Sequence, residues 1–248
     1  MSGPFAHLRS QRAVNRLARR FRESYRRHQP LHDTDEASTP SRASAAACDV
    51  LHASGVSLSI VDGPGRVPLG ASSPGAMLAE QLQYTAGVGP CLEAILTATV
   101  VTASAPRLQA RWPTLASAWA EQAGVYSVVS APLLGDGGSP LGAMNVFFAQ
   151  ADGPRFILPL HLTVVAGLVT EELIRDSADP RQAWSHVAPA HSRRNVWIAV
   201  GILAARSAQD ADDAFARLRA HAYRREQTVD DLAAAIRDDP AVADEIAL

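Results

Sequence analysis

Two cysteines, eight histidines and a clustered set of arginines are the side chains of this chain best suited to chemistry. Cys91 follows Gly89-Pro90 at the expected start of a helix, where the positive end of the helix dipole lowers a thiol pKa. Facing a pocket, it would suit a redox or covalent-ligand role; packed inside, it is a small apolar residue. Cys48 and His52 share a helix face at i, i+4, but two ligands do not make a zinc site, and no metal is expected. His28 and His32 flank Pro30 beside an acidic linker and suggest no site. HExxH, CxxC and P-loop patterns are missing, and Gly87-Val-Gly-Pro90 lacks the third glycine of a dinucleotide fingerprint. No Ser–His–Asp or Cys–His set follows from spacing. The expectation is a protein that is not an enzyme.

Arginine is the more informative residue. All 23 basic residues are Arg, set against 25 acids. The near-neutral total argues against a general polyanion binder, yet the two ends are Arg-rich. Toward the C-terminus stand Arg193, Arg194, Arg206, Arg217, Arg219, Arg224 and Arg225, with Tyr223 among them. Guanidinium groups grip phosphate bidentately and stack on unpaired bases, as tyrosine does, so these eight are candidate RNA-binding residues; the alternative is solvated helix surface. At the other end, residues 1–30 carry eight arginines and one acid, Glu23. Val14, Leu17, Phe21 and Tyr25 recur there at i, i+3, i+7 and i+11, the pattern of a basic amphipathic helix. A solvated, partly disordered arm and a nucleic-acid-binding arm both fit it.

The elements that must position these groups follow from periodicity. Residues 31–42 are polar and Pro-broken and read as a linker. Beyond them lie a helix at 43–53, strands at Val56–Val61 and Val67–Ala71 around a Gly-Pro turn, and a helix at 75–84 ending at Gly87. A β-branched run at 99–103 precedes a helix at 111–122 opened by Trp112-Pro113. Val125–Leu134 and Leu141–Phe148 form a hairpin, and a long helix at 154–176 puts Leu158, Leu162, Val165, Val169 and Leu173 on one face. This order implies an α+β domain around an antiparallel sheet. Pro180 and Pro189 interrupt a connection at 177–192. Three short amphipathic helices then carry stripes Val196/Val200/Leu203, Ala211/Ala214/Phe215/Leu218/Ala222 and Val229/Leu232/Ala233/Ile236. Asp210 with Asp213, and Thr228 with Asp231, read as N-terminal caps. Two cysteines fit a reduced cytoplasmic protein; no run approaches the roughly 20 apolar residues of a membrane span, and no signal-peptide core opens the chain.

Two family resemblances sit on these patterns. Ala199, Gly201, Ile202, Leu203, Arg206, Ala214-Phe215, Leu218-Arg219, Ala222, Asp231, Ala233 and Ile236 resemble the ANTAR family in order and without gaps. Gly87–Ala94, Arg111-Trp-Pro113, Gly124–Leu133 and Leu141–Phe147 resemble an actinobacterial GAF domain. The resemblances imply an α+β fold: a GAF-type antiparallel sheet flanked by helices, then a C-terminal three-helix ANTAR-like bundle. Expected boundaries are an Arg-rich arm and linker at 1–42, a sensor at 43–176, a linker at 177–192 and an output domain at 193–240. They further imply a dimeric regulator whose bundle binds two-hairpin RNA to suppress transcription termination, and whose sensor pocket takes a small molecule or redox cue. The seam of that homodimer is expected along the long helix and the output helices. Expected pocket residues are Ser57, Ser59, Tyr84, Cys91, Trp112, Ser130 and Asn145, with the ligand and any cofactor unnamed. Methionine-sulfoxide reductase chemistry, known in some GAF proteins, uses several cysteines; here Cys91 stands alone, with Cys48 at the domain edge. Departures from the ANTAR pattern fall at Ile198, Val200, Ala208, Glu226, Gln227 and Thr228. Ile198, Val200, Glu226, Gln227 and Thr228 motivate the alternative of a ligand sensor whose bundle only dimerises or holds a protein partner.

Overall fold

The structure is a computed structural model, and it describes residues 4–28, 38–62, 65–175 and 190–247. In chain order the elements are α1 Pro4–Arg27, α2 Thr39–Leu51, β1 Gly55–Asp62, β2 Gly65–Ala71, α3 Pro74–Ala86, α4 Pro90–Thr97, β3 Val101–Ala103, α5 Ala105–Arg111 and α6 Pro113–Ala118. They continue with β4 Ser127–Leu134, β5 Pro140–Phe148, α7 Pro159–Arg175, α8 Ala190–Ser207, α9 Ala211–Arg224, α10 Val229–Asp238 and α11 Asp244–Ala247.

The five strands pair antiparallel in the order β2-β1-β5-β4-β3. Side chains alternate across a strand, and here both faces are covered. Val56, Leu58 and Ile60 of β1, Val129, Ala131 and Leu133 of β4, and Met144, Val146 and Phe148 of β5 share one apolar core with α1, α2 and α7. The intervening residues face α3 and α4, and this second face is mixed: Val128 and Phe147 are apolar, whereas Ser57, Ser59, Ser130 and Asn145 are fully buried. Strands buried on both sides explain why β1 and β4 read as nearly continuous apolar runs broken by serine.

Several bounds differ from the sequence reading. The helix expected at 43–53 begins at Thr39, because Pro40 occupies its first turn, where a missing N–H costs nothing. It ends at Leu51, and His52 has φ 53°, so Cys48 and His52 do not share a helix face. Among the described residues no three His, Cys, Asp or Glu side chains gather as a metal site. The helix expected at 154–176 splits into a turn at Gly153–Phe156 and α7, since the residue before Pro159 is biased away from helix. Leu158 is accordingly exposed and off the buried stripe. Helix α5 precedes the expected helix at 111–122, whose body ends in a wide turn at Trp119–Ala123. Helix α1 packs into the core of the α+β unit through Leu17 and Phe21, with Tyr25 stacked on Phe21 at 6.3 Å between centroids.

The C-terminal bundle buries the three expected stripes, except that Ala211 is exposed and Phe215 half-buried. Its core extends past residue 240 to Ala243 and Ile246. Both expected caps form. Asp210 Oδ1 accepts the Asp213 N–H at 2.9 Å, and Thr228 exchanges bonds with Asp231 in a capping box.

Candidate functional site

Three of the expected pocket residues come together through strand register. Ser57 lies opposite Asn145, and Asn145 opposite Ser130, so one row of polar side chains crosses β1, β5 and β4. Ser130 Oγ donates to Asn145 Oδ1 at 2.6 Å, while Asn145 Nδ2 and Ser57 Oγ each donate to Glu80 Oε2 at 2.6 Å. Arg66 of β2 bonds the other Glu80 oxygen. A buried carboxylate is tolerable when its oxygens are paired in this way. Ser59 lies one step along the same face, its Oγ 3.2 Å from Cys91 Sγ. Cys91 is fully buried against Ile95 and Ala143, and its N–H donates to Gln83 Oε1 at 3.0 Å. Burial raises the pKa of the other thiol, Cys48, with Asp49 adding and a Ser72 hydrogen bond opposing.

Tyr84 and Trp112 are not in this row. Trp112 sits half-buried at the α5–α6 break under Arg111. Tyr84 points away from the sheet toward Phe215 of α9, at 5.9 Å between centroids, and Trp197 of α8 continues the ring cluster at 6.1 Å from Phe215. Arg66 lies over the Tyr84 ring, so one guanidinium meets both the buried row and the α3 ring that packs on Phe215.

Helix α3 therefore has two working faces, and the residues sequence reasoning missed are on it. Glu80 and Gln83 stand on the stripe begun by Ala76 and Ala79, where a charged residue among inward positions was the available signal. Thr85 carries the other face: its hydroxyl accepts the N–H of Val229, the first residue of α10, at 2.9 Å. Its carbonyl accepts Arg219 Nε–H at 3.3 Å. The first N–H groups of a helix lack partners within it, so a residue of the α+β unit caps the bundle's third helix. Arg219 lies against Gly87, whose φ of 67° and missing side chain leave room for the guanidinium. Burial lowers the Arg219 pKa, with Arg66 adding to the fall and Tyr84 opposing it.

The remaining RNA candidates divide by what holds them. Arg206 bonds the Pro240 carbonyl and Asp244, the latter at 2.5 Å, and Arg225 bonds Glu245 at 2.5 Å. Arg217 reaches the Ile246 carbonyl at 3.5 Å. Arg224 Nη2 donates to His221 Nδ1 at 3.3 Å. Arg194, Tyr223, Arg224 and Arg225 are exposed, whereas the Arg193 side chain lies outside the described residues. Tyr223, Glu226 and Gln227 line a cleft of about 170 Å³ with Thr85, Thr114 and Glu121 of the α+β unit. Of the departures from the ANTAR pattern, Val200 is a core residue, and Ala208 and Glu226 adopt φ of 52° and 55°.

Residues 189–236 match the model of the ANTAR domain family. No curated protein matches the chain. Among solved structures, the GAF domain from Acinetobacter phosphoenolpyruvate-protein phosphotransferase is similar at 10% identity and a TM-score of 0.41, covering 74% of this chain and 98% of that one. The C-terminal unit is an ANTAR domain. It follows an α+β unit built on a five-stranded antiparallel sheet. No helix among the described residues is long and apolar enough to cross a membrane.

Proposed function

We propose that the chain is a signal-responsive RNA-binding antitermination regulator, in which the GAF-like unit takes a small molecule or redox cue and the ANTAR domain binds paired RNA hairpins. The observation carrying this reading is that the ANTAR domain docks on α3, the helix that also holds Glu80 of the buried polar row. A cue that rearranges the row acts on α3, and α3 carries the acceptors for Val229 and Arg219. Such a ligand shifts the docked population only by its different affinity for the docked and released states. Arg194, Tyr223, Arg224 and Arg225 serve as RNA contacts already exposed; Arg219 becomes one on release. The chain acts as a homodimer in the cytoplasm.

The alternative, a bundle that serves dimerisation or a protein partner alone, is favoured by the acidic partners of Arg206 and Arg225. One titration separates the two. Full-length protein is titrated with a two-hairpin RNA at several salt concentrations, beside Arg224→Ala/Arg225→Ala. Salt-sensitive binding, weakened at least about tenfold in the variant, supports the antiterminator, because each lost phosphate contact lowers both affinity and salt slope. Equal binding by both proteins removes these arginines from the site.

A further inference from the structure

Charge is distributed in this molecule against the expected direction. The ANTAR domain and the turn after it, residues 190–247, hold eight arginines and ten acids, so the proposed output is net acidic. Helix α1 holds eight of the chain's 23 basic residues and one of its 25 acids, leaving 15 against 24 everywhere else.

The geometry of α1 turns that excess into a surface. At 3.6 residues per turn, Arg12, Arg16, Arg19, Arg20, Arg26 and Arg27 fall within an arc of about 120°, and all six are exposed. Leu17, Phe21 and Ser24 fall in a separate arc of about 60° and are buried, with Ser24 Oγ donating to Asp49 at 2.5 Å. The stripe is thus fixed in place by the sensor core. Its ion pairs are loose: Arg19–Glu23 and Arg27–Asp49 are each 3.7 Å. Among the described residues, Arg12, Arg16 and Arg26 make no ion pair. From Arg12 to Arg27 the stripe rises ~22 Å, the length of several phosphates along one strand.

We propose that the arginine stripe of α1 is a second RNA-binding surface, supplying the phosphate contacts that the net-acidic output domain lacks; this rests on the RNA-binding reading above. A basic amphipathic helix that lies on a bilayer buries its apolar face in lipid, whereas the apolar face of α1 is spent on Leu17 and Phe21 inside the protein. What remains outward is guanidinium, which suits a phosphate backbone without an apolar phase. Helix α1 lies on the sheet face opposite α3, so stripe and ANTAR domain engage separate segments of one folded RNA, and their contributions add.

The test uses full-length protein and a structured two-hairpin RNA, plotting log Kd against log salt concentration. Wild type is compared with Arg12→Gln/Arg16→Gln/Arg26→Gln, with the matching triple Arg→Lys variant, and with Arg224→Ala/Arg225→Ala. Helicity by circular dichroism and Tm check that each variant folds; Arg12, Arg16 and Arg26 are exposed. The expected result is a salt slope lower by about 2 to 3 and affinity weaker on the order of tenfold or more in the Gln variant, with Lys retaining most of both. An unchanged slope in the Gln variant, beside lost binding in Arg224→Ala/Arg225→Ala, overturns the stripe and leaves the ANTAR reading intact. Loss in the Gln variant alone keeps the stripe and removes Arg224 and Arg225 from the site. Failure of wild type to bind RNA at low salt overturns both. Tighter stripe-dependent binding to vesicles containing phosphatidylglycerol than to RNA overturns the choice of partner.

Discussion

Glu80 shows how a single buried charge organises the interior of the α+β unit. Its two oxygens are divided between Arg66 on one side and the Ser57–Asn145 pair on the other, with no exposure to solvent. Removing one partner of such a pair leaves the other charge buried and uncompensated, which costs about 3–5 kcal/mol, whereas replacing both is far cheaper. Glu80→Gln keeps the shape and loses the charge. It is expected to destabilise the protein by about 3 kcal/mol in a denaturant titration at constant m. Adding Arg66→Met should recover a large part of that loss. Equal stability of the single and double variants would show that packing, not an orphaned guanidinium, sets the cost.

At the scale of the element, α9 brings together a half-buried arginine, an aromatic and a titrating histidine. A guanidinium only donates, so Arg224 fixes His221 Nδ1 as acceptor and leaves the proton on Nε2, a buried atom without a partner among the described residues. Burial lowers the His221 pKa, with Arg225 and Arg224 adding to the fall and Glu245 opposing it. An unfolded chain then takes up the proton first. The stability this contributes is whole above the ordinary histidine pKa of about 6.5 and is lost as pH falls from there through the lowered folded value. Unfolding of the bundle between pH 7 and pH 5 should therefore grow easier in wild type, and His221→Gln should flatten that dependence. A parallel pair of curves would assign the effect elsewhere. The helical stripes, both caps and the hairpin were legible in the sequence because each is a local pattern: period 3.6, an Asp or Thr three residues before its acid, a Gly-rich turn. Ser57, Ser130 and Asn145 were legible as polar residues on apolar strands, but their meeting depends on register across three strands. Thr85 and Arg219 were not legible as partners, since their contact spans 134 residues and answers to no local period.

For the whole molecule, one helix, α3, carries both Glu80 of the buried row and the contacts to the C-terminal bundle. Docking places Phe215 on Tyr84, Arg219 on the Thr85 carbonyl and the Val229 N–H on the Thr85 hydroxyl. Each contact is modest alone, since a net hydrogen bond is worth about 1 kcal/mol. Together they hold one face of the C-terminal bundle against α3. Thr85→Val keeps volume and removes the hydroxyl, which loses the acceptor for Val229 and, within α3 itself, the donation to the Gln81 carbonyl at 2.8 Å. Hydrogen exchange at the start of α10 should then quicken on the order of tenfold, the equivalent of about 1.4 kcal/mol of lost protection. If docking opposes RNA, the released population rises with it and the apparent RNA affinity strengthens by a similar factor, because affinity scales with the competent fraction. Faster exchange with unchanged RNA affinity would make the contact a structural seam that RNA leaves closed. Faster exchange with weaker RNA binding would mean that the docked form is the one that binds, and the sign of the switch would reverse: the cue would act by holding α3 against the ANTAR domain rather than by letting it go.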